Sequence, residues 1–423
     1  MTRRHALFLF ALSLSAACSD STGPGGNPAL RFASVSAGDG FTCALTADGR
    51  AWCWGMGLFG QIGNGATSTQ PLPAVVAGER RYLSLSAGSD HACAIAQDST
   101  AWCWGLNDFR ELGSQTSLCN SSFQFVSCAS APLRVPGTLR FDSISVGGYA
   151  TCALARAEPY TAGTQTAWCW GWNTRGELGS GATGSVISEP AQVSGSRILR
   201  SLDLDLYHAC GIDAAGAVFC WGSNAYGQLA VDTTRTPRCL EGPATGLFCA
   251  PTPLQSDLAT SLRIVSTGST HTCVLGAGGE AACAGSNQYG VIGRDGSLGG
   301  NVPVIVEGGH VFASISAGGE HTCALTAAGE AWCWGMNHQG QLGNAVTVGA
   351  CAAFGDAAAC SQAPVAVEGA PAFTRISAGT GHSCGLTADG QLWCWGRGTE
   401  GQLGNGAQAS SPVPVRVALP LPE

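Results

Sequence analysis

Lysine is absent from this 423-residue chain, and every one of its 20 basic residues is arginine. Charge of either sign is scarce at 11%, and 28 acidic residues give a formal net charge of −8. An acidic chain without a basic cluster repels phosphate backbones, which argues against a nucleic-acid partner. The Gly-x-Ser-x-Gly elbow, the phosphate loop and the His-Glu-x-x-His pair are also missing. No carboxylate–histidine pair recurs at a fixed spacing, so a reaction centre has little to stand on. Helical periodicity is confined to an apolar N-terminal segment, and that segment is too short to span a bilayer.

Glycine (61), proline (19) and cysteine (21) are plentiful instead. Seven times the chain approximates His-x-Cys-Ala-Leu-x-x-x-Gly-x-x-Trp-Cys-Trp-Gly-x-Asn-x-x-Gly-Gln-Leu-Gly, most clearly from His321 to Gly343. A repeat of 50 to 63 residues signals an array of one supersecondary unit, more often a surface for partners than a reaction vessel. The repeats run from about Arg31 to Val417 and are read as one domain.

In the first copy, Phe41–Thr46 and Arg50–Gly55 alternate around Ala47-Asp48-Gly49, a hairpin with glycine in the left-handed position. That register sets Leu45 opposite Ala51, Ala44 opposite Trp52 and Cys43 opposite Cys53. Parity makes the cysteines a close, non-hydrogen-bonded pair, where a cross-strand disulfide forms. The same logic pairs Cys93–Cys103, Cys152–Cys169, Cys210–Cys220, Cys273–Cys283, Cys323–Cys333 and Cys384–Cys394. Loop cysteines supply Cys119–Cys128, Cys239–Cys249 and Cys351–Cys360. Eleven of the 12 tryptophans hold the two Trp-Cys-Trp positions, with Trp172 the exception, on the face opposite the disulfide. Both faces are thus apolar, as stacked blades require. One strand before and one after the hairpin complete four strands per repeat. The expected fold is an all-β, seven-bladed β-propeller, with the segments Leu30–Val35 and Pro414–Val417 meeting to close the ring.

Arg3 and Arg4, the apolar Ala6–Leu14 and Ser15-Ala16-Ala17 form an export signal. Ordinary cleavage after Ala17 is one outcome. The other is lipid attachment at Cys18, which resembles a bacterial lipoprotein signal with Leu14 one position out of register. Ten pairs use 20 cysteines and leave only Cys18, which favours the lipid. The expected organisation is residues 1–17 as signal, 18–29 as a flexible tether and 30–423 as propeller, exported to the cell envelope and held at a membrane through Cys18.

Ser316–His321, the Gly-x-x-Trp-Cys-Trp-Gly segment and Gly340-Gln341-Leu342-Gly343 resemble the regulator of chromosome condensation repeat family over roughly nine-tenths of the chain. The resemblance implies a seven-bladed propeller. The family includes nucleotide-exchange factors for a small GTPase and secreted bacterial members such as a β-lactamase inhibitor. Repeat 5 departs by losing both tryptophans (Ala282 and Ala284). Repeat 3 departs by widening its hairpin with Ala155–Thr166.

Five histidines, His91, His208, His271, His321 and His382, share one repeat position. They are expected to bond backbone within their own blades; the competing reading is a metal or acid–base ring at the mouth. Asp203 and Asp205 replace the usual Ser-Ala-Gly residues and are expected in a solvated loop, with a cation-binding spot as the alternative. The stapled loops of repeats 2, 4 and 6 share a face with the histidine ends and offer Phe123, Phe125, Leu247, Phe248 and Phe354 as binding anchors. Covering blade edges is their equal alternative role. The expected protein is a monomeric, non-enzymatic module without cofactor or metal that binds a protein or a surface glycan. The alternatives are an inhibitor of a secreted enzyme, an exchange factor by analogy, and a lyase or hydrolase at the central mouth.

Overall fold

The computed structural model describes residues 30–120, 125–156, 165–239, 246–258, 261–345, 350–353 and 356–419, with side chains at 120, 125, 350–353 and 356–358 excepted. Seven antiparallel sheets follow one another along the chain, each built from consecutive strands. In blade 1 these are Phe32–Ala37, Phe41–Thr46, Ala51–Gly55 and Gln70–Val75, innermost to outermost. The sequence register holds: Leu45 faces Ala51, Ala44 faces Trp52 and Cys43 faces Cys53. Gly49 takes the left-handed φ of 82° that the tight turn requires. A bulge in the inner strand between Phe32 and Ser34 recurs in blades 2, 3, 5, 6 and 7.

Nine disulfides join cysteines within their own repeats among the described residues. The seven hairpin pairs all have Cα–Cα distances of 4.1 Å, the close approach of a non-hydrogen-bonded pair. Cys360 is also disulfide-bonded, while the side chain of Cys351 lies outside the description.

The core is a set of blade junctions. Cys43, Leu45 and Cys53 of blade 1 pack against Ala92, Ala94 and Trp104 of blade 2. The ring closes by the same contact, with Cys384, Leu386 and Cys394 of blade 7 packed on Phe32, Ala44 and Trp54 of blade 1. The second tryptophan of each pair is fully buried. The first is half-buried towards the rim.

Outer strands leave a free edge, and each carries proline, as at Pro71, Pro132, Pro190, Pro251, Pro303, Pro364 and Pro412. Proline cannot donate to a ladder and so blunts pairing with a foreign strand. Two segments expected as stapled loops take strand structure instead. Leu118–Asn120 and Ala350–Ala353 add fifth strands to blades 2 and 6, so these segments are hairpins grown from the outer strand. In blade 4 the chain forms a 3-10 turn at Thr233–Arg235 and a single bridge, Arg238 to Phe248.

Candidate binding surface

Three layers of polar contacts lock neighbouring blades and fix what each face presents. Around the axis, one side chain per blade accepts a backbone N–H from the next. Ser36 accepts from Ala87, Ser86 from Val146 and Ser145 from Leu204. Asp203 accepts from Thr267, Ser266 from Ala317, Ser316 from Ala378 and Ser377 from Ala37, closing the circle. Asp203 therefore does not lie in a solvated loop. It replaces one serine of the ring, takes a second bond from Ser145 Oγ, and burial raises its pKa. Asp205 stands where other blades have glycine, lines the same 140 Å³ axial cavity, and is pushed by burial up to about 7.

The histidines form the second layer, and the expected backbone partner is wrong. Each fully buried ring gives Nε2 to a hydroxyl on the next blade: His91 to Thr151, His208 to Thr272, His271 to Thr322, His321 to Ser383 and His382 to Thr42. Each hydroxyl in turn donates to a carbonyl on the histidine's own blade, at Glu111, Gln228, Val291, Gln341 or Gln402. The single hydroxyl proton is thereby used, so Nε2 carries the imidazole proton. Burial holds all five rings down at about 3, and they are neutral. Repeats 1 and 3 replace histidine by Phe41 and Ala150. The blades that follow them replace the hydroxyl by Ala92 and Ala209, so donor and acceptor are lost together.

The buried tryptophans make the third layer. Trp54, Trp104, Trp170, Trp221, Trp334 and Trp395 donate Nε1 to carbonyls of the preceding blade at 2.8 to 3.0 Å. The last glycine of the preceding Gly-Gln-Leu-Gly lies over the ring; a Cβ at Gly404 would meet Trp54 Nε1 at 2.5 Å. Blade 4 carries Ala230 at that position, and blade 5 carries Ala284 in place of the tryptophan. The two alanines share one cluster, which accounts for the departure of repeat 5.

The Gln position of the motif pins its own turn. Gln61, Gln228, Gln341 and Gln402 accept the N–H two residues earlier. Glu111 and Glu177 make the same bond while buried, which pushes them up to about 8 and about 7. Below pH 7 both are protonated stand-ins for glutamine, and Glu177 is the first to lose its proton as pH rises.

First and third strand connections lie at one end of the ring: Met56 N donates to Gly40 O, and Leu106 N to Asp90 O. Two exposed or half-exposed anchors expected from sequence are found there in blade 4: Leu247 is exposed, and the half-buried Phe248 ring stacks with Arg238. Phe123 and Phe354, together with Tyr160 of the widened hairpin, lie outside the described residues, as does the Phe125 side chain. Cys18 lies outside them too. Sequence reasoning missed Phe109, Tyr149 and Trp172, whose rings meet edge-on between blades 2 and 3. Trp172, the one tryptophan off the Trp-Cys-Trp pattern, was the available signal. Among the described residues no group of three or more His, Cys, Asp or Glu could hold a metal ion, and no helix is long and apolar enough to cross a membrane.

A disulfide-stapled ring whose recurring polar groups are spent on joining blades is a propeller scaffold, and its function must come from what it carries at its ends. Two profiles of the regulator of chromosome condensation (RCC1) repeat match it, one at residues 32–61, 83–111, 312–341 and 373–402, the other at 48–95, 215–275, 328–386 and 389–421. Together they cover more than half of the sequence, and the chain belongs to this repeat family. The ultraviolet-B receptor UVR8 of Arabidopsis thaliana is 27% identical over 275 residues, 64% of this chain and 58% of that protein. The probable E3 ubiquitin-protein ligase HERC6 of Homo sapiens is 26% identical over 201 residues, 46% of this chain but 18% of that protein. The chain thus spans little more than half of one curated relative and a fifth of the other. Prp20p of Saccharomyces cerevisiae has a similar fold, with TM-score 0.71 and 20% identity over 92% of this chain and 87% of that one. Human WBSCR16 gives 0.64 and 19% over 84% and 85%.

Proposed function

We propose that this protein is an exported, lipid-anchored interaction module that uses the end of the ring bearing the first and third connections to bind a protein or glycan of the cell envelope. The observation that carries this reading is the disulfide framework combined with the stapled hairpins. Buried cystines at every blade belong to an oxidising compartment. Stapled segments in blades 2 and 4 stand at one end of the ring, and stapling lowers the entropy lost when a loop is immobilised on a partner. Cys18, the one cysteine outside the ten pairs, supplies the anchor, and residues 18–29 the tether.

Two experiments on the full chain test this. Cys18→Ser is expected to move the protein from the membrane to the soluble fraction; retention after signal cleavage would remove the lipid. Cross-linking from residues flanking Cys239–Cys249 in intact cells is expected to give one dominant adduct. Adducts only from the opposite end would remove the choice of face.

A further inference from the structure

An 840 Å³ groove lies on the proposed working end, where Tyr226, Thr233 and Phe248 of blade 4 face the glycine-rich connection of blade 5. Its volume falls within the about 300–1,000 Å³ range of ligand sites. Gly227 has a φ of +82°, and a Cβ there would meet Asn301 N at 2.3 Å. This close approach holds Tyr226 beside Asn301, and Gln228 pins the Tyr226 N–H at 2.9 Å. Tyr226 is 52% exposed. Phe248 forms another part of the wall, its ring held by the Arg238 guanidinium 4.5 Å from the centroid. The partly exposed amides of Asn301 and Gln362 make no hydrogen bond among the described residues.

The lining selects by charge. Asp295 is the sole charged residue of the lining; the Arg238 guanidinium stands behind it, stacked on the Phe248 ring and bonded to the Gly246 carbonyl. An anionic ligand would have to draw Arg238 away from both partners to gain a counter-charge, and a cation would find one exposed carboxylate. A purely apolar ligand would strip water from the amides and the Tyr226 hydroxyl without replacing their bonds. A neutral ligand with one C–H face and a rim of hydroxyls satisfies both kinds of wall. The rings take its apolar face, and the amides donate to and accept from adjacent hydroxyls. We infer that this groove binds a neutral oligosaccharide segment, with Tyr226 and Phe248 as stacking platforms and Asn301 and Gln362 as hydroxyl readers. This deepens the interaction-module reading and rests on it.

The test titrates the full chain by calorimetry with cellohexaose, laminarihexaose, mannohexaose and xylohexaose, with oligogalacturonate as the acidic control. At least one neutral hexaose is expected to bind with submillimolar affinity and oligogalacturonate not to. Tyr226→Ala and Asn301→Ala are each expected to weaken binding by about tenfold or more while leaving the melting temperature unchanged, because Tyr226 is exposed and the half-buried Asn301 amide makes no hydrogen bond among the described residues. Absence of heat with all four sugars overturns the assignment, as does unchanged affinity in Tyr226→Ala. If the sugars fail while a purified envelope protein binds in a Tyr226-dependent way, the ligand class is wrong and the module reading survives. Failure of both, with no adduct at this end of the ring, ends both.

Discussion

Glu111→Gln and Glu177→Gln together are expected to stabilise the protein at alkaline pH and to do little at pH 5. Both carboxyls are fully or almost fully buried, accept one backbone N–H, and occupy a position filled by glutamine in four other blades. Burial raises Glu111 to about 8 and Glu177 to about 7 from the ordinary glutamate value of 4.5. The folded state therefore holds two protons that the unfolded state has released above pH 4.5. Stability from this source is complete below pH 4.5 and is lost as pH rises through 7 to 8. At about 1.4 kcal/mol per unit, the loss reaches a ceiling of roughly 5 kcal/mol at Glu111 and roughly 3 kcal/mol at Glu177. For a domain of this size that corresponds to a rise of roughly 5–10 °C in melting temperature for the double variant at pH 8.5. Thermal unfolding at pH 5 and pH 8.5, by calorimetry or tryptophan fluorescence, reads it directly. Equal shifts at the two pH values, or destabilisation at pH 8.5, would refute the protonated state.

Acid acts through the histidines with the opposite sign. All five titrate near 3 when folded and 6.5 when unfolded, so stability is complete above pH 6.5 and falls steeply as pH drops towards 3, which a pH series of melting curves reads. His382→Ala and Thr42→Ala are expected to cost about 1–3 kcal/mol each, and a double-mutant cycle between them to show a coupling of about 1 kcal/mol, with no chelator-sensitive change. Ala284→Trp alone is expected to lose about 1–3 kcal/mol against Ala230, and Ala230→Gly in the same chain to recover most of it, read from melting temperatures.

The hairpin register, the seven hairpin cystines and the number of blades were legible in the sequence because the turn glycine and strand parity leave one solution per repeat. The junctions were less legible. Each latch joins residues of different repeats, and its code appears only when repeat n is compared with repeat n + 1: Phe41 with Ala92, Ala150 with Ala209, Ala230 with Ala284. A within-repeat reading sees isolated departures and gives the histidines a backbone partner they do not have. Asp203 was misplaced for the same reason, since its serine equivalents act on the neighbouring blade. The blade 4 segment was found through its cysteines. The groove beside it depends on Tyr226, Asn301 and Gln362 from three blades, and no local motif joins them.

A ring stapled blade by blade, and its proposed export, are tested most directly on protein from the cells that make it, blocked with an alkylating agent before lysis and digested without reduction. Peptides linked as Cys43–Cys53, Cys93–Cys103, Cys152–Cys169, Cys210–Cys220, Cys273–Cys283, Cys323–Cys333 and Cys384–Cys394 are expected, with none of these cysteines alkylated. Alkylated hairpin cysteines would contradict export to an oxidising compartment, and a dominant link between repeats, such as Cys43 to Cys93, would contradict the blade register.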